Sequence, residues 1–271
     1  MLSDIDETTA PFGLLDIQGD GRNIKEFDLV LNNELSQRIR AQAKTLQLSP
    51  AAFFHAAWAL VVAACSGKQD IVFGTVLSGR LQGTVGAQDS IGMFLNTLPM
   101  RTSLREQTAL QFIEEMQVNL NGLLEYEQTS LTLAKSCSGL KESMPFFTAI
   151  LNYRHTDNVE LNLGDFSLIS DQERTNYPFN ISVNDFGNDF SFNVQVDEKI
   201  SPQRIAEYMQ TVSEVLVTRL EDKSLQSIEC QFILPSAEID EQLYGLNQTY
   251  IDYPRERCVH ELFEAQVSSS P

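Results

Sequence analysis

The chain has 271 residues, of which 42 % are apolar, and carries a formal net charge of −18 with a pI near 4.5. That length suits one main domain with extensions, and the apolar share is enough for a sizeable core. A surface this acidic repels phosphate backbones and anionic headgroups, which argues against both a nucleic-acid and a membrane partner.

The opening residues 4–21, DIDETTAPFGLLDIQGDG, carry Pro11, Gly13, Gly19 and Gly21 without a sustained period and read as an extended arm. Leu31, Leu35, Ile39, Ala43 and Leu46 then recur at helical spacing and predict a first helix. Ser49 caps a second helix with Pro50 in its first turn. That helix is apolar almost all round (Phe53, Phe54, Ala57, Trp58, Leu60, Val61), so it belongs in the middle of the domain. IVFGTV (71–76) reads as an inner strand, and LNTLPMRT (95–102) as an edge strand because Pro99 cannot donate to a ladder. Ile113, Met116, Leu120 and Leu123 mark a third helix, and FFTAILNY (146–153) another strand.

Further along, Phe179, Ile181 and Val183 alternate with Asn180, Ser182 and Asn184. Phe190, Phe192, Val194 and Val196 repeat the pattern beyond DFGND (185–189), which predicts a hairpin with one buried face. Ser201-Pro202 opens a last long helix with Ile205, Met209, Val212 and Leu216 inward. Beyond about Pro235 the period is lost until a short terminal helix, so this stretch reads as a linker within a longer polypeptide. Strands and helices intermix on one sheet, an α/β fold in which a mixed sheet is packed with helices as a sandwich.

Residues that carry chemistry are sparse. Cys65, Cys137, Cys230 and Cys258 form no Cys-x-x-Cys pair, and His55, His155 and His260 stand at no helical spacing from one another, so no metal site is expected. Scattered cysteines without a signal peptide point to a reducing, cytoplasmic compartment, and the longest apolar run, Ala56–Cys65, is too short to span a bilayer. No phosphate loop or G-x-S-x-G elbow occurs, and SGRLQGTVG (78–86) lacks the lysine a phosphate loop needs. His55, on the buried helix, reads as a core histidine held by a carbonyl. His155, at a strand end, has the place of a general base but no acidic partner or nucleophile at a supporting spacing. His260 reads as a surface residue, and Cys65, at a helix end that disfavours a thiolate, as packing. The residues alone thus describe an α/β domain without a self-contained active site.

Several segments nevertheless resemble one family. IGMFLNTLPMR (91–101) is similar to the core motif I/V-G-x-F-V/I-N-T-L-x-x-R of nonribosomal peptide synthetase condensation domains. GTVLSGR (74–80) resembles the G-T-x-x-S/A-G-R segment just before it, and the whole run from Ser49 to Arg80 matches as one block. FFTAILNYRH (146–155) and RTNYPF (174–179) resemble two later segments, and YIDYPRERCVHELFEAQ (250–266) the connector into an adenylation domain and that domain's first helix. The matches run in family order over nearly the whole chain. The family's catalytic signature, H-H-x-x-x-D-G, is absent, and no two histidines are adjacent.

The resemblance implies a chloramphenicol acetyltransferase-like lobe, the C-terminal one of the two that form a condensation domain. Its expected divisions are an extended arm or crossover (1–25), the lobe (26–235), and a linker with the start of an adenylation domain (236–271). The family joins carrier-bound aminoacyl and peptidyl thioesters by amide formation. Expected partners are therefore the N-terminal lobe, the adenylation domain and peptidyl carrier proteins, with no cofactor bound here and 4'-phosphopantetheine carried by the partners. Without the histidine pair the fragment is expected to be inactive alone. Arg80 is expected to pair bidentately with the aspartate of the absent motif and support the catalytic loop, or else to be an ordinary loop arginine. Gly92, Asn96, Thr97, Asn152, Tyr153 and Arg154 are the candidates for facing the substrate tunnel and the pantetheine arm, although Asn96 and Thr97 would equally suit a turn. For RTNYPF a packing role is expected. Two other readings remain: a lobe of an epimerisation domain, which the adenylation-type connector disfavours, and a non-catalytic module that docks carrier proteins or partner domains.

Overall fold

Among the described residues, six strands form a single mixed sheet in the order β1-β6-β5-β4-β2-β3. They are β1 (Ile24–Val30), β2 (Asp70–Leu77), β3 (Asn96–Ser103), β4 (Ala149–His155), β5 (Phe179–Asp185) and β6 (Phe190–Asp197). The computed structural model describes residues 2–79, 92, 94–155, 173–228, 233–253 and 255–270. It divides into two compact units, Met1–Ile233 and Leu234–Pro271. β4 runs parallel to β2 and β5, while the outer pairs β3–β2, β5–β6 and β6–β1 are antiparallel.

One face of the sheet carries the main core. α1 (Asn33–Leu46), α2 (Pro50–Ser66), α3 (Ala109–Leu124) and α5 (Pro202–Glu221) form the helical layer on it. α2 is central, as its all-round apolar surface requires: its residues from Ala52 to Ala63 are all buried. Ser49 accepts from the Ala52 amide and Gly67 ends the helix in the left-handed region at φ 67°, a conformation glycine adopts without a side-chain clash. Trp58 stacks on Phe179 of β5 at 4.9 Å between centroids, and Phe54 meets Phe190 and Phe192 of β6 edge-on at 4.8 and 5.6 Å.

The opposite face splits in two. At the β2–β4 side a smaller apolar cluster gathers Ile5, Val72, Ala134, Phe146, Phe147 and Ile150, closed by α4 (Leu131–Ser136) and the N-terminal arm. β2 and β4 pair only through Gly74–Ile150 and Thr75–Leu151. Where they separate, the arm enters: Thr9 bridges to Phe147 in parallel, and its hydroxyl accepts from the Val72 amide at 2.9 Å. The arm therefore satisfies backbone donors that two diverging strands would leave unpaired. Toward β6 the same face is polar, with Asn152, Arg154, Asn180, Ser182, Asn184, Asn193 and Gln195 in register.

The inner strand, the Pro99 edge strand, the hairpin and the four long helices stand where periodicity puts them. Three features differ. β1 is not among the predicted elements; among the described residues it is an edge strand paired to β6 alone, and its mixed burial leaves only a faint alternation in IKEFDLV. The hairpin has both faces covered rather than one: Asn180, Ser182 and Gln195 are buried, and Gln195 Nε2 donates to the Glu173 carbonyl at 2.8 Å, so a polar side chain goes inside because it is bonded there. Beyond Pro235, the expected linker opens with a helical run, α6 (Ser236–Asp240) continued by a π-turn (Glu241–Gly245), before α7 (Val259–Ser269). Within this second unit Arg255 lies over the rings of Tyr250 and Tyr253 and donates to the Tyr250 hydroxyl at 3.0 Å. Among the described residues no single helix is long and apolar enough to cross a membrane.

Candidate functional site

The segments singled out in the sequence meet at the end of the sheet where β2 exits, β3 enters and the parallel strand β4 finishes. Two glycines make that approach possible. A Cβ on Gly74 would lie 2.5 Å from the Phe147 ring and 2.8 Å from the Thr97 methyl. A Cβ on Gly79 would lie 1.9 Å from the Phe94 carbonyl oxygen, and Gly79 also holds φ at +67°. Both positions exclude any side chain, which is why GTVLSGR has glycine at its two fixed points. Arg80, the residue after Gly79, lies outside the described residues. Gly92 faces the Phe94 ring, 3.0 Å from where a Cβ would sit.

Asn96 begins β3, and its side chain is fully engaged. Its Nδ2 donates to the Glu127 and Thr129 carbonyls at 2.8 and 2.7 Å, and its Oδ1 accepts from the Thr97 amide at 2.9 Å. Thr97, half-buried, pairs with Val76 and turns its methyl toward Gly74. Gln128, which sequence reasoning did not single out, donates Nε2 to the Gly79 carbonyl at 2.7 Å.

At the end of β4 the pleat separates three consecutive candidates. Asn152 and Arg154 lie on the polar face with Thr97. In the amide orientation that satisfies both groups, Asn152 Oδ1 accepts from Arg154 Nε at 2.9 Å and Nη2 at 3.1 Å, while Arg154 pairs with Glu173. Tyr153 points the other way, toward α2, where its ring stacks with Phe54 at 6.4 Å. Its hydroxyl donates to Asp185 Oδ2 at 2.5 Å. Burial raises the pKa of that hydroxyl well above the ordinary phenol range, and the neighbouring carboxylate raises it further.

Asp185 is the hub of this second cluster. Only 5 % exposed, it pairs with Arg40 of α1 and accepts from the Gly187 amide at 2.9 Å, while Arg40 lies 4.0 Å over the Phe190 ring. Burial alone would raise the Asp185 pKa, but Arg40, Tyr153 and Gly187 together outweigh it and hold the group at about 2. His155 Nδ1 stands 3.4 Å from Asp185 Oδ2, so the acidic partner missing from the local sequence comes from the next strand. His55 is a core histidine. Its Nδ1 meets the Ala51 carbonyl at 2.7 Å and its Nε2 the Thr75 hydroxyl at 2.6 Å, and burial lowers its pKa to about 4 despite the Ala51 contact.

Two more segments serve packing. Arg101, the last residue of IGMFLNTLPMR, binds both oxygens of Asp4 at 2.6 and 2.9 Å and both of Asp70 at 3.0 and 2.6 Å, tying the arm to the β2–β3 edge. In RTNYPF, Asn176 Nδ2 donates to the Ile17 carbonyl at 2.6 Å and Tyr177 stacks on Phe147 at 5.8 Å. Gln128, Asp185 and Arg101 escaped notice as site residues for one reason: their partners lie far away in the chain. Among the described residues no group of three or more His, Cys, Asp or Glu side chains converges as a metal site would require. What this end of the sheet offers chemically is a rim with a hydroxyl (Thr97), an amide (Asn152) and a guanidinium (Arg154) on one face.

A family model described as Condensation domain matches residues 16–243. Malpibaldin synthetase of Mortierella alpina is 42 % identical over 274 residues, a match that takes in 100 % of this chain and 5 % of that protein. The chain thus spans a small fraction of the relative's length. Among solved structures, a four-domain nonribosomal peptide synthetase bound to AMP and glycine superposes with a TM-score of 0.75 at 13 % identity, over 98 % of this chain and 22 % of that one. The condensation domain from a Monacolin K polyketide synthase gives a TM-score of 0.65 at 16 % identity, over 82 % of this chain and 54 % of that one.

Proposed function

The chain belongs to the condensation-domain family, and on that footing we propose that it is the C-terminal lobe of a nonribosomal peptide synthetase condensation domain, one wall of the cleft in which carrier-bound thioesters are joined by amide formation. The observation that carries this reading is the meeting of residues 74–79 and 94–101, the described parts of GTVLSGR and IGMFLNTLPMR, along the adjacent strands β2 and β3, locked where Gly79 touches Phe94 and flanked by the end of β4. The match to about half of a solved condensation domain supports the reading of one lobe out of two. The change of compact unit between Ile233 and Leu234 supports a lobe followed by a separate segment, and the resemblance of residues 250–266 to the connector into an adenylation domain supports reading that segment as a linker toward one.

In this reading the acceptor amine attacks a thioester carbonyl held on the 4'-phosphopantetheine of a partner carrier protein, the acyl carbon–sulfur bond breaks as the amide forms, and the pantetheine thiol leaves with the proton the amine gives up, the group that accepts or positions that proton belonging to the opposite lobe. Holding two tethered substrates at attack distance supplies much of the acceleration, and polar groups anchored on strand ends suit that task. Thr97, Asn152 and Arg154 share the face that would meet the pantetheine arm. Asn96 contributes by holding the strand entry, since both its amide protons are spent on carbonyls of this chain. Arg80 supports the histidine loop of the partner lobe. The N-terminal lobe, the adenylation domain and the peptidyl carrier proteins are the partners, and the 271 residues alone, with no adjacent histidines, do not condense.

Peptide formation from loaded carrier proteins tests the reading. The full module carrying R80A loses most of its product, and the isolated chain makes none. Wild-type turnover in R80A would end the Arg80 assignment, and condensation by the isolated chain would end the half-domain reading.

A further inference from the structure

On the sheet face that carries Thr97, Asn152 and Arg154, an open groove of about 660 Å³ runs along α4. Leu131, Thr132 and Ser136 of α4 form one side of it, and Ile17 of the arm and Phe146 contribute to the other. Leu131 and Leu140 pack against the Ile5, Phe146 and Phe147 cluster, so the groove is floored by the smaller core. The Ile17 wall is set by RTNYPF, whose Asn176 holds the Ile17 carbonyl at 2.6 Å. The groove starts beside the rim: Leu131 stands two residues beyond Thr129, whose carbonyl accepts from Asn96 Nδ2 at 2.7 Å. Polar groups around it are engaged within the chain. Lys135 Nζ donates to the Glu142 carbonyl at 2.6 Å, Ser136 Oγ to the Leu133 carbonyl at 2.7 Å and Ser138 Oγ to the Lys135 carbonyl at 2.7 Å. Its charged lining residues are Lys135 and Glu142, one of each sign.

We propose that this groove is the subsite for the donor's peptidyl chain and selects apolar side chains in it. This rests on the reading of the chain as a condensation lobe. Three observations choose the occupant. Donors already spent on the chain's own carbonyls leave apolar surface as what the groove has to offer, so an apolar side chain gains by entering and a polar one loses its water. A lining with balanced charge suits a neutral peptide rather than an ion. A cavity in the range of about 300–1,000 Å³ holds a drug-sized ligand, which matches several residues of a peptidyl donor and exceeds the one side chain an aminoacyl acceptor brings. Because the groove begins at the rim, a chain trailing from a thioester held there lies along α4.

The experiment uses the full synthetase module and carrier proteins loaded with tri-leucyl, tri-asparaginyl or glycyl donors, first with one fixed acceptor and then with the acceptor side chain varied. Thr132 and Ser136 are exposed, so T132W and S136W place an indole in the groove without entering the core. Wild type is expected to prefer the tri-leucyl donor to the tri-asparaginyl one of similar shape. In both variants the ratio of kcat/KM for the tri-leucyl donor to that for the glycyl donor falls about tenfold. A tri-leucyl donor carrying a diazirine on one side chain cross-links within residues 131–146 on illumination. Equal losses for every donor, a loss that follows the acceptor side chain instead, or cross-links confined to other segments overturn the proposal. Undiminished tri-leucyl turnover in both variants removes the groove and leaves the condensation-lobe reading standing; a wild-type module that forms no peptide from any donor removes both.

Discussion

Replacing Asp185 by asparagine keeps the shape of the side chain and removes the charge that Arg40 and Tyr153 converge on. The cost follows from the displaced equilibrium. The carboxyl titrates at about 2 in the folded chain against 3.8 when unperturbed. A shift of that size is worth about 2 kcal/mol at neutral pH, at ~1.36 kcal/mol per unit. The folded pKa is depressed, so this stability is present above the unfolded value and disappears as pH falls through the folded one. By about pH 3 roughly half of it has gone. Urea denaturation of wild type and D185N at several pH values between 7 and 3 measures the difference directly, with equal m-values showing that the same surface unfolds. Equal stability at pH 7, or a deficit that stays constant down to pH 3, would refute the assignment of Asp185 as a charged, partnered hub.

His55 gives the opposite end of the same logic. It is buried and holds its pKa at about 4 against 6.5, so the unfolded chain binds a proton first; stability falls by about 3 kcal/mol as pH drops from 6.5 to 4, and an NMR titration shows one histidine still neutral at pH 5. At Gly79, G79A adds a methyl group 1.9 Å from a carbonyl oxygen and at positive φ, which costs about 3 kcal/mol and appears as a large loss of melting temperature; a variant as stable as wild type contradicts the close approach.

The element types were legible because each rests on a local period. α2 announces its burial by having no polar face, and Pro99 its edge by lacking a donor. β1 was hidden because an edge strand with a half-wet surface has little alternation to show. The polar side chains buried on β5 and β6 were misread for a related reason: Asn180, Ser182 and Gln195 look like solvent-facing residues until the segment that covers them is known. In the second unit, the turn at Glu241–Gly245 is formed by residues with no sustained period.

The sequence by itself determined the family, through short motifs in a fixed order, and the class of fold, through spacing along single elements. Both are properties of neighbouring residues, which a linear text preserves. The tertiary structure alone decided which polar groups meet. Asn152, Tyr153 and Arg154 are consecutive yet divide between two faces, because a strand alternates its side chains. Gln128 and Gly79, Asp185 and Arg40, and Arg101 and Asp4 are remote in the chain yet bonded, because hydrogen bonding depends on distances of about 3 Å in space rather than on separation in sequence.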